Sequence, residues 1–450
     1  MCPVRVRPAS RETRSVPTVA DVSSQRAAVR TTAPGDPRRA VRVCLDALAA
    51  VVAGLVAMAV TAALGLWAAG AADLPDGAFL PVLASVVIMA AGGEVELSGA
   101  AGAIAGTDAE VTAMPLSVTL AGALVTGVLF LRPLRHHAIA SAGELLGRIA
   151  ATAALWLAGL GVLTALARHT FTDVVPAGTA ADLIGDLLDI STSVGFRADP
   201  GSTLGYGLLW ILGVLAMALL VSRRAPLPTR LVRYQEPVRP AAFAMLLLLL
   251  AYVVVGAVAG LVVAATRGHP ADTFAVLLLG LPNVVWLALG TGIGGSWEGR
   301  VDGPFGLPMP QLLDLVLRGK QDSTLDVGAL AAHDERAWWL IPVAAVLLLA
   351  AGFVMAARSP AGTRLWQQAL HLGVAFALTM LVVGPVTRVY ARYGLSLFGI
   401  ADLEEFGGLV ELRPHLWAMV GLALLWGLVA GFTGGLLASR VHRRGEVTDR

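Results

Sequence analysis

Ten long apolar runs dominate the chain, and about 20 such residues are what a helix needs to cross a bilayer. They cover Val43–Gly70 and then, approximately, 78–92, 115–131, 149–167, 204–221, 241–265, 274–293, 338–357, 366–387 and 415–438. Composition agrees: of 450 residues 56% are hydrophobic and 14% charged, against roughly 45 to 50% and about 25% in a soluble domain. Mean hydropathy is +0.74. An ordinary soluble protein is excluded, and the expected class is an all-α polytopic membrane protein. The first run is too long for a signal-peptide h-region and is read as a retained helix.

Basic loops stay on the cytoplasmic side, so the arginines orient the runs. Residues 1–42 carry arginine throughout with no apolar period and read as a disordered basic tail. Arginine also marks 132–148, 222–239, 358–364 and the tail from Arg440, whereas the other connections lean acidic or neutral, among them Glu94, Glu96, Asp108 and Glu110. Ten simple crossings cannot satisfy this pattern, because the second and seventh runs have outside-type connections at both ends. Run 78–92 is short and ends in Gly92-Gly93, and run 274–293 contains Pro282 and closes on Gly290, Gly292, Gly294 and Gly295. Such backbone is tolerated in a bilayer only when shielded by protein or lining a wet cavity. The reading is eight full transmembrane helices plus two re-entrant or broken segments, with both termini cytoplasmic in the plasma membrane; ten crossings with a weak charge bias is the alternative.

The halves also match in order. Leu208-Leu209-Trp210 runs on to Ser222-Arg223 as Leu424-Leu425-Trp426 runs on to Ser439-Arg440. Because the charge pattern has the same sign in both halves, the expected repeat is parallel, about an axis along the membrane normal. The expected organisation is a tail at 1–42, membrane repeat 1 at 43–222, a cytoplasmic linker at 223–239, membrane repeat 2 at 240–440 and a tail at 441–450.

Few residues suggest chemistry. The broken segment Leu281-Pro282-Asn283, with Gly292 and Gly294 after it, is the best candidate site, since freed carbonyls and half-helix ends can face a ligand. Its plainer explanation is a buried hairpin whose glycines permit close packing. Pro282 lacks an N–H and obstructs the carbonyl of Leu278, so Asn283 is expected to point into the bundle and bond backbone. His371 is the deepest clear ionisable residue, with Gln367 one turn before it on the same face; an inter-helix hydrogen-bonded pair is the expected role. Asp46, and Glu144 with Arg148 at i,i+4, are expected to be interfacial or paired. Leu183-Ile184 with Leu187-Leu188, and Leu312-Leu313 with Leu315-Val316-Leu317, are too short to span and should rest on the bundle or interface.

Walker A, HExxH and CxxC patterns are missing, and Gly294-Gly295-Ser296 has no histidine placed by sequence to activate its serine. Cys2 and Cys44 make neither a disulfide framework nor a metal site. No catalytic, cofactor or metal residue is expected. A net charge of +2 gives no reason to expect nucleic acid as partner; the bilayer is the one partner the sequence names.

Three stretches carry a resemblance: Ser193-Val194-Gly195-Phe196-Arg197-Ala198-Asp199, Ser222-Arg223-Arg224-Ala225-Pro226-Leu227-Pro228, and Leu279-Gly280-Leu281-Pro282-Asn283-Val284-Val285-Trp286 with Trp297-Glu298-Gly299-Arg300. Over about residues 40 to 440 the chain resembles the streptophobe family, very hydrophobic membrane proteins of Streptomyces and related actinobacteria. The resemblance implies a multi-pass fold and carries over no functional residues. A looser similarity, by analogy alone, is to actinobacterial PerM-like membrane proteins. The expected function is a non-enzymatic cell-envelope role through membrane or envelope protein partners. The alternatives are a permease for a small substrate with its path between the repeats, and an intramembrane enzyme.

Overall fold

The computed structural model describes residues 37–74, 77–101, 105–134, 142–172, 192–222, 229–266, 270–302, 316–317, 323–360, 362–397 and 401–439. Residues 1–36 of the expected tail at 1–42, the expected tail at 441–450 and the stretch around Leu183 lie outside them; of the stretch around Leu312, only Val316 and Leu317 are described. The chain divides into two units, Met1–Leu45 and Asp46–Arg450. The described part of the first is the opening of a helix, and the architecture that follows belongs to the second.

The helices and strands, in chain order, are α1 (Pro37–Ala68), α2 (Phe79–Ala90), β1 (Val95–Ala101), β2 (Ala105–Ala113), α3 (Leu116–Leu134), α4 (Ala142–Leu166), β3 (Arg168–Thr172), β4 (Thr192–Ala198) and α5 (Pro200–Val221). The second half continues with α6 (Thr229–Thr266), α7 (Pro270–Gly292), β5 (Trp297–Asp302), β6 (Ser323–Leu325), α8 (Val327–His333), α9 (Leu340–Arg358), α10 (Leu365–Val386), β7 (Val389–Leu397), β8 (Ala401–Pro414) and α11 (Leu416–Ala438). Among the described residues nine helices, α1, α3 to α7 and α9 to α11, are long and apolar enough to cross a bilayer, and α2 is shorter. The chain is a polytopic helical membrane protein.

Two boundaries differ from the sequence reading. Helix α1 starts at Pro37 rather than Val43, and the expected linker 223–239 is helical from Thr229 on. Apolar periodicity marks only the part of a helix that needs lipid, so a polar extension is invisible to it. The larger addition is a sheet. Where the sequence suggested acidic loops, eight antiparallel strands stand in the order β3-β4-β1-β2-β7-β8-β5-β6. The expectation of an all-α chain therefore describes the membrane part, with a sheet added at one end.

The sheet is amphipathic row by row. One register row runs Ala198, Val95, Val111, Ala391, Val410, Val301 across six strands; Ala198, Val95, Ala391, Val410 and Val301 are 6% exposed or less. The adjacent row runs Arg168, Arg197, Glu96, Glu110, Arg392, and Arg168, Arg197, Glu96 and Arg392 are exposed. Side chains alternate across a strand, so one face is apolar and the other charged. Near the helices the apolar face closes a core: Val95 and Ala198 pack with Ala84 and Ile88 of α2 and Ala167, and Trp297, Leu325, Val410 and Leu412 join the large core of the second half.

Glycine sets the tightest packing. A Cβ on Gly427 would lie 2.7 Å from the Cα of Gly373, and one on Gly431 2.8 Å from the Cα of Ala369, both on α10. A Cβ on Gly434 would lie 2.4 Å from the carbonyl carbon of Gly352 on α9. Helix α11 thus meets both neighbours backbone to backbone. In the same way Gly256 and Gly260 of α6 receive Val285 and Leu277 of α7. Gly434→Ala should therefore force backbone apart and cost about 1 to 3 kcal/mol. Gly421→Ala, on the same helix with nothing within 4 Å of the added carbon, should be neutral or gain up to about 1 kcal/mol of helix propensity. Thermal unfolding of the two purified variants checks this; equal melting temperatures would remove the close-approach account.

Candidate functional site

Helix α7 is where the backbone needs outside help. Pro282 sits inside it and cannot donate to the ladder. One residue earlier the ladder is opened by a side chain: the Ser117 hydroxyl donates to the carbonyl of Leu277 at 2.9 Å and accepts from the N–H of Leu281 at 3.1 Å. An inserted side chain of this kind is a recognised cause of helix bending. Ser117 belongs to α3, so the first half of the chain completes a helix of the second.

The exchange runs the other way at Asn283. Its Oδ1 accepts from the N–H of Leu116 at 3.1 Å, and its Nδ2 donates to the carbonyl of Met114 at 2.9 Å. Leu116 opens α3, and the first N–H groups of a helix have no partner within it; Pro115 before it has none to give. Asn283 therefore caps the β2–α3 junction of the other half. The side chain points into the bundle and bonds backbone, as expected, but with two differences. The carbonyl that is met is Leu277's rather than Leu278's, and the group that meets it is Ser117, because Asn283 reaches across to α3 instead of back along its own helix.

Past Thr291 helix α7 ends in a glycine turn. Gly294 has φ 91°, and Gly295 N–H donates to the carbonyl of Gly290 at 2.9 Å. Trp426 Nε1 donates to the carbonyl of Ile293 at 3.0 Å, and His415 N–H to that of Ser296 at 3.1 Å. Gly292 faces α9, where a Cβ would lie 2.7 Å from the carbonyl oxygen of Leu340. The end of α2 is built alike. Gly92 has φ 92°, Gly93 N–H donates to Ile88 O at 3.0 Å, and Asp199 N–H donates to Glu94 O at 3.1 Å. Asp199 also caps α5, and hydrogen bonds from the Ser202 backbone and hydroxyl hold its carboxyl below the usual carboxylate range.

The structure separates the remaining candidates from this centre. Gln367 turns back to its own helix start, accepting from Arg364 N–H at 3.0 Å, so it makes no pair with His371. His371 is half-buried two turns into α10, far along that helix from β7. The buried amide there is the next residue, Gln368, 0% exposed, whose Nε2 donates to Thr363 Oγ1 at 3.0 Å. Arg148, its side chain 10% exposed, lies 3.6 Å from Asp46 and 3.7 Å from Glu144, so the residues expected to pair form a triad around a nearly enclosed guanidinium. Sequence reasoning missed Ser117, because a lone serine after a proline carries no signal of its own, and it named Trp426 as a mark of the repeat without its bond to Ile293. Among the described residues no three His, Cys, Asp or Glu side chains come together to hold a metal ion.

Replacing Asn283 by Leu strands the carbonyl of Met114 and the N–H of Leu116 away from water, which should cost about 1 to 3 kcal/mol. Ser117→Ala removes the inserted hydroxyl and should fall in the same range. Thermal unfolding in detergent measures both, and variants as stable as the parent would refute the exchange of partners.

No family model, no curated protein and no solved structure matches the chain.

Proposed function

We propose that the chain is a plasma-membrane scaffold of two parallel repeats, made of eight full crossings and two re-entrant segments with both termini cytoplasmic, and that it belongs with the streptophobe family it resembles. The positions of the ends of α2 and α7 support the crossing count. α1 lies against α3, Gly54 beside Thr126 and Gly122 beside Met58, and Phe243 of α6 lies 3.7 Å from Arg358 at the far end of α9. These antiparallel neighbours put the last residues of α1 and α6 at the strand-bearing end, where α2 and α7 begin. Both also finish there. Gly93 faces Thr203 in the first turn of α5, and Gly292 faces Leu340 at the start of α9.

The repeat is supported by matching connections. Among the described residues each half runs α-helix, α-helix, two strands, α-helix, α-helix, two strands, α-helix, with α8 added in the second. The strand orders β3-β4-β1-β2 and β7-β8-β5-β6 are the same order twice. Val95 pairs with Ala198 as Trp297 pairs with Pro414, just past glycine turns that share the backbone bonds Gly93 to Ile88 and Asp199 to Glu94 in one half, Gly295 to Gly290 and His415 to Ser296 in the other, so Trp210 and Trp426 fall at equivalent positions in sequence.

The functional reading rests on one observation: both halves send all their strands to one end of the bundle, where the sheet turns Arg168, Arg197, Glu96, Glu298, Arg392 and Arg413 to solvent. A charged sheet face has no use in packing against lipid, and it suits recognition of an envelope protein by electrostatic complementarity. The role is non-enzymatic and acts through such partners. Two experiments test these proposals. Cysteines at 105 and 405 should label from outside and cysteines at 136, 230 and 361 from the cytoplasm, in a background lacking Cys2 and Cys44; cytoplasmic labelling of 105 would overturn the re-entrant reading. A photo-reactive residue at Arg197 or Arg392, used in native membranes, should yield one heterologous protein adduct common to both positions and missing from a control at lipid-facing Leu209. If neither position yields one, the partner role falls and a permease becomes the better reading.

A further inference from the structure

Helix α9 measures the bilayer. Its 19 residues, Leu340–Arg358, span about 28 Å, close to the roughly 30 Å of a hydrocarbon core. Trp339 just before it is 70% exposed, and Trp366, past the turn into α10, is 57% exposed. Tryptophans in such positions gather at the two membrane–water interfaces. Arg358 therefore stands at the level of the lipid headgroups, at the end of the bundle away from the sheet.

Three arginines meet near that level. The guanidinium carbon of Arg358 lies 3.7 Å from the centre of the Phe243 ring, a cation–π contact that fixes where the charge sits. Arg239 is one turn before Phe243 on α6, hence on the same face, and donates to the carbonyl of Ser222 at the end of α5. Arg364 follows Arg358 across the short turn and opens α10. Arg358 and Arg364 are both exposed, and the connection between them carries no acid. Guanidinium forks match the oxygens of a phosphate and bind them two at a time.

Beyond Arg364 the wall is apolar. Trp366, Leu370, Val374, Leu378 and Val382 recur at every fourth place along α10 and are 43% to 63% exposed, which makes one continuous ridge. A soluble anion has no use for that ridge. A phospholipid brings its phosphate to the arginines and its acyl chains to the ridge at once.

The first half is built differently at the same border. His169 pairs with Phe196 as Val389 pairs with Leu412, and Glu144 stands as far before His169 as Arg364 stands before Val389. In the first half the chain supplies carboxylates of its own, Asp46 and Glu144, to Arg148. The second half has a guanidinium where Glu144 stands.

We propose that Arg239, Arg358 and Arg364 bind the phosphate of an anionic phospholipid whose acyl chain lies along the α10 ridge. Three positive charges favour a headgroup with a net negative charge over a zwitterionic one, whose ammonium they repel. The topology proposed above makes this the cytoplasmic leaflet, and the comparison of the halves rests on the proposed repeat; the site itself needs neither.

The full chain, purified in detergent, is titrated with dioleoyl-phosphatidylglycerol or with dioleoyl-phosphatidylcholine, and bound lipid is counted by native mass spectrometry. Phosphatidylglycerol should bind several-fold more tightly. Arg358→Gln and Arg364→Gln should each weaken it about fivefold, the share of one arginine beside anionic lipid, and bring it toward phosphatidylcholine. Arg132→Gln, an exposed arginine of α3 at the same end of the first half, removes the same charge and should leave binding within twofold of the parent. Melting of each variant without lipid identifies any that fails to fold, and either substitution at 358 or 364 suffices for the test. Equal binding of the two lipids, or an equal loss from Arg132→Gln, overturns the site. Displacement of phosphatidylglycerol by inorganic phosphate at matching concentration makes it a soluble-anion site and overturns the lipid assignment. Detergent binding reads the same whichever way the chain faces, so failure here leaves the labelling and cross-linking tests of topology and partner role standing, and their failure leaves this one.

Discussion

A peptide group in hydrocarbon has no water to fall back on, so each N–H and C=O must find its partner inside the protein. Unbroken helices meet this demand by themselves. Helix α7 does not, and its ladder is entered by a side chain from the other half. Ser117 of α3 enters the ladder at Leu277 and Leu281, and Asn283 of α7 completes the turn at Met114 and Leu116. Each half lends the other one short polar side chain. The two deficits cancel across a single contact, so the halves are registered by hydrogen bonds as well as by shape.

The helical part was legible because twenty-odd apolar residues in a row have few other fates. The charge of the connections, compared with the ends of α2 and α7, carried the idea of segments that turn back. The sheet was not legible. Val95-Glu96-Leu97-Ser98 alternates as a half-buried strand should, but β1 and β2 are rich in Gly, Ala and acids, residues poor in strand propensity. Their partners also lie far off in sequence, β1 with β4 and β2 with β7, and no local pattern reports a pairing of that range. At the site the sequence named Asn283 and its inward direction but misplaced its partner, because Ser117 has no distinguishing neighbour. Gln367 was named from its spacing to His371, but at the start of a helix one residue decides between a cap and a buried position, and packing against Gly435 makes Gln368 the buried one.

The triad of Asp46, Glu144 and Arg148 shows a different economy. Asp46 is 45% exposed and Glu144 13%, while the guanidinium between them is nearly enclosed. Removing either acid leaves the arginine less compensated, and leaving a buried charge uncompensated is more damaging than replacing the whole group by apolar residues. The group ties α1 to α4 through charge at the start of α4, where Gly143 and Gly147 have no neighbour within 4 Å of an added carbon.

The capping of α3 by Asn283 has a consequence for assembly. A chain is made from its N-terminus and domains tend to fold as they emerge, yet Leu116 and its partner Asn283 are separated by 167 residues. While α3 is already in the bilayer, the cap for its first turn has not been synthesised. The first half must wait in the membrane with an open amide and an open carbonyl at the foot of β2, and the arrival of α7 closes both at once. A chain truncated before residue 283 would lack the side chain that meets Met114 and Leu116 in the folded protein.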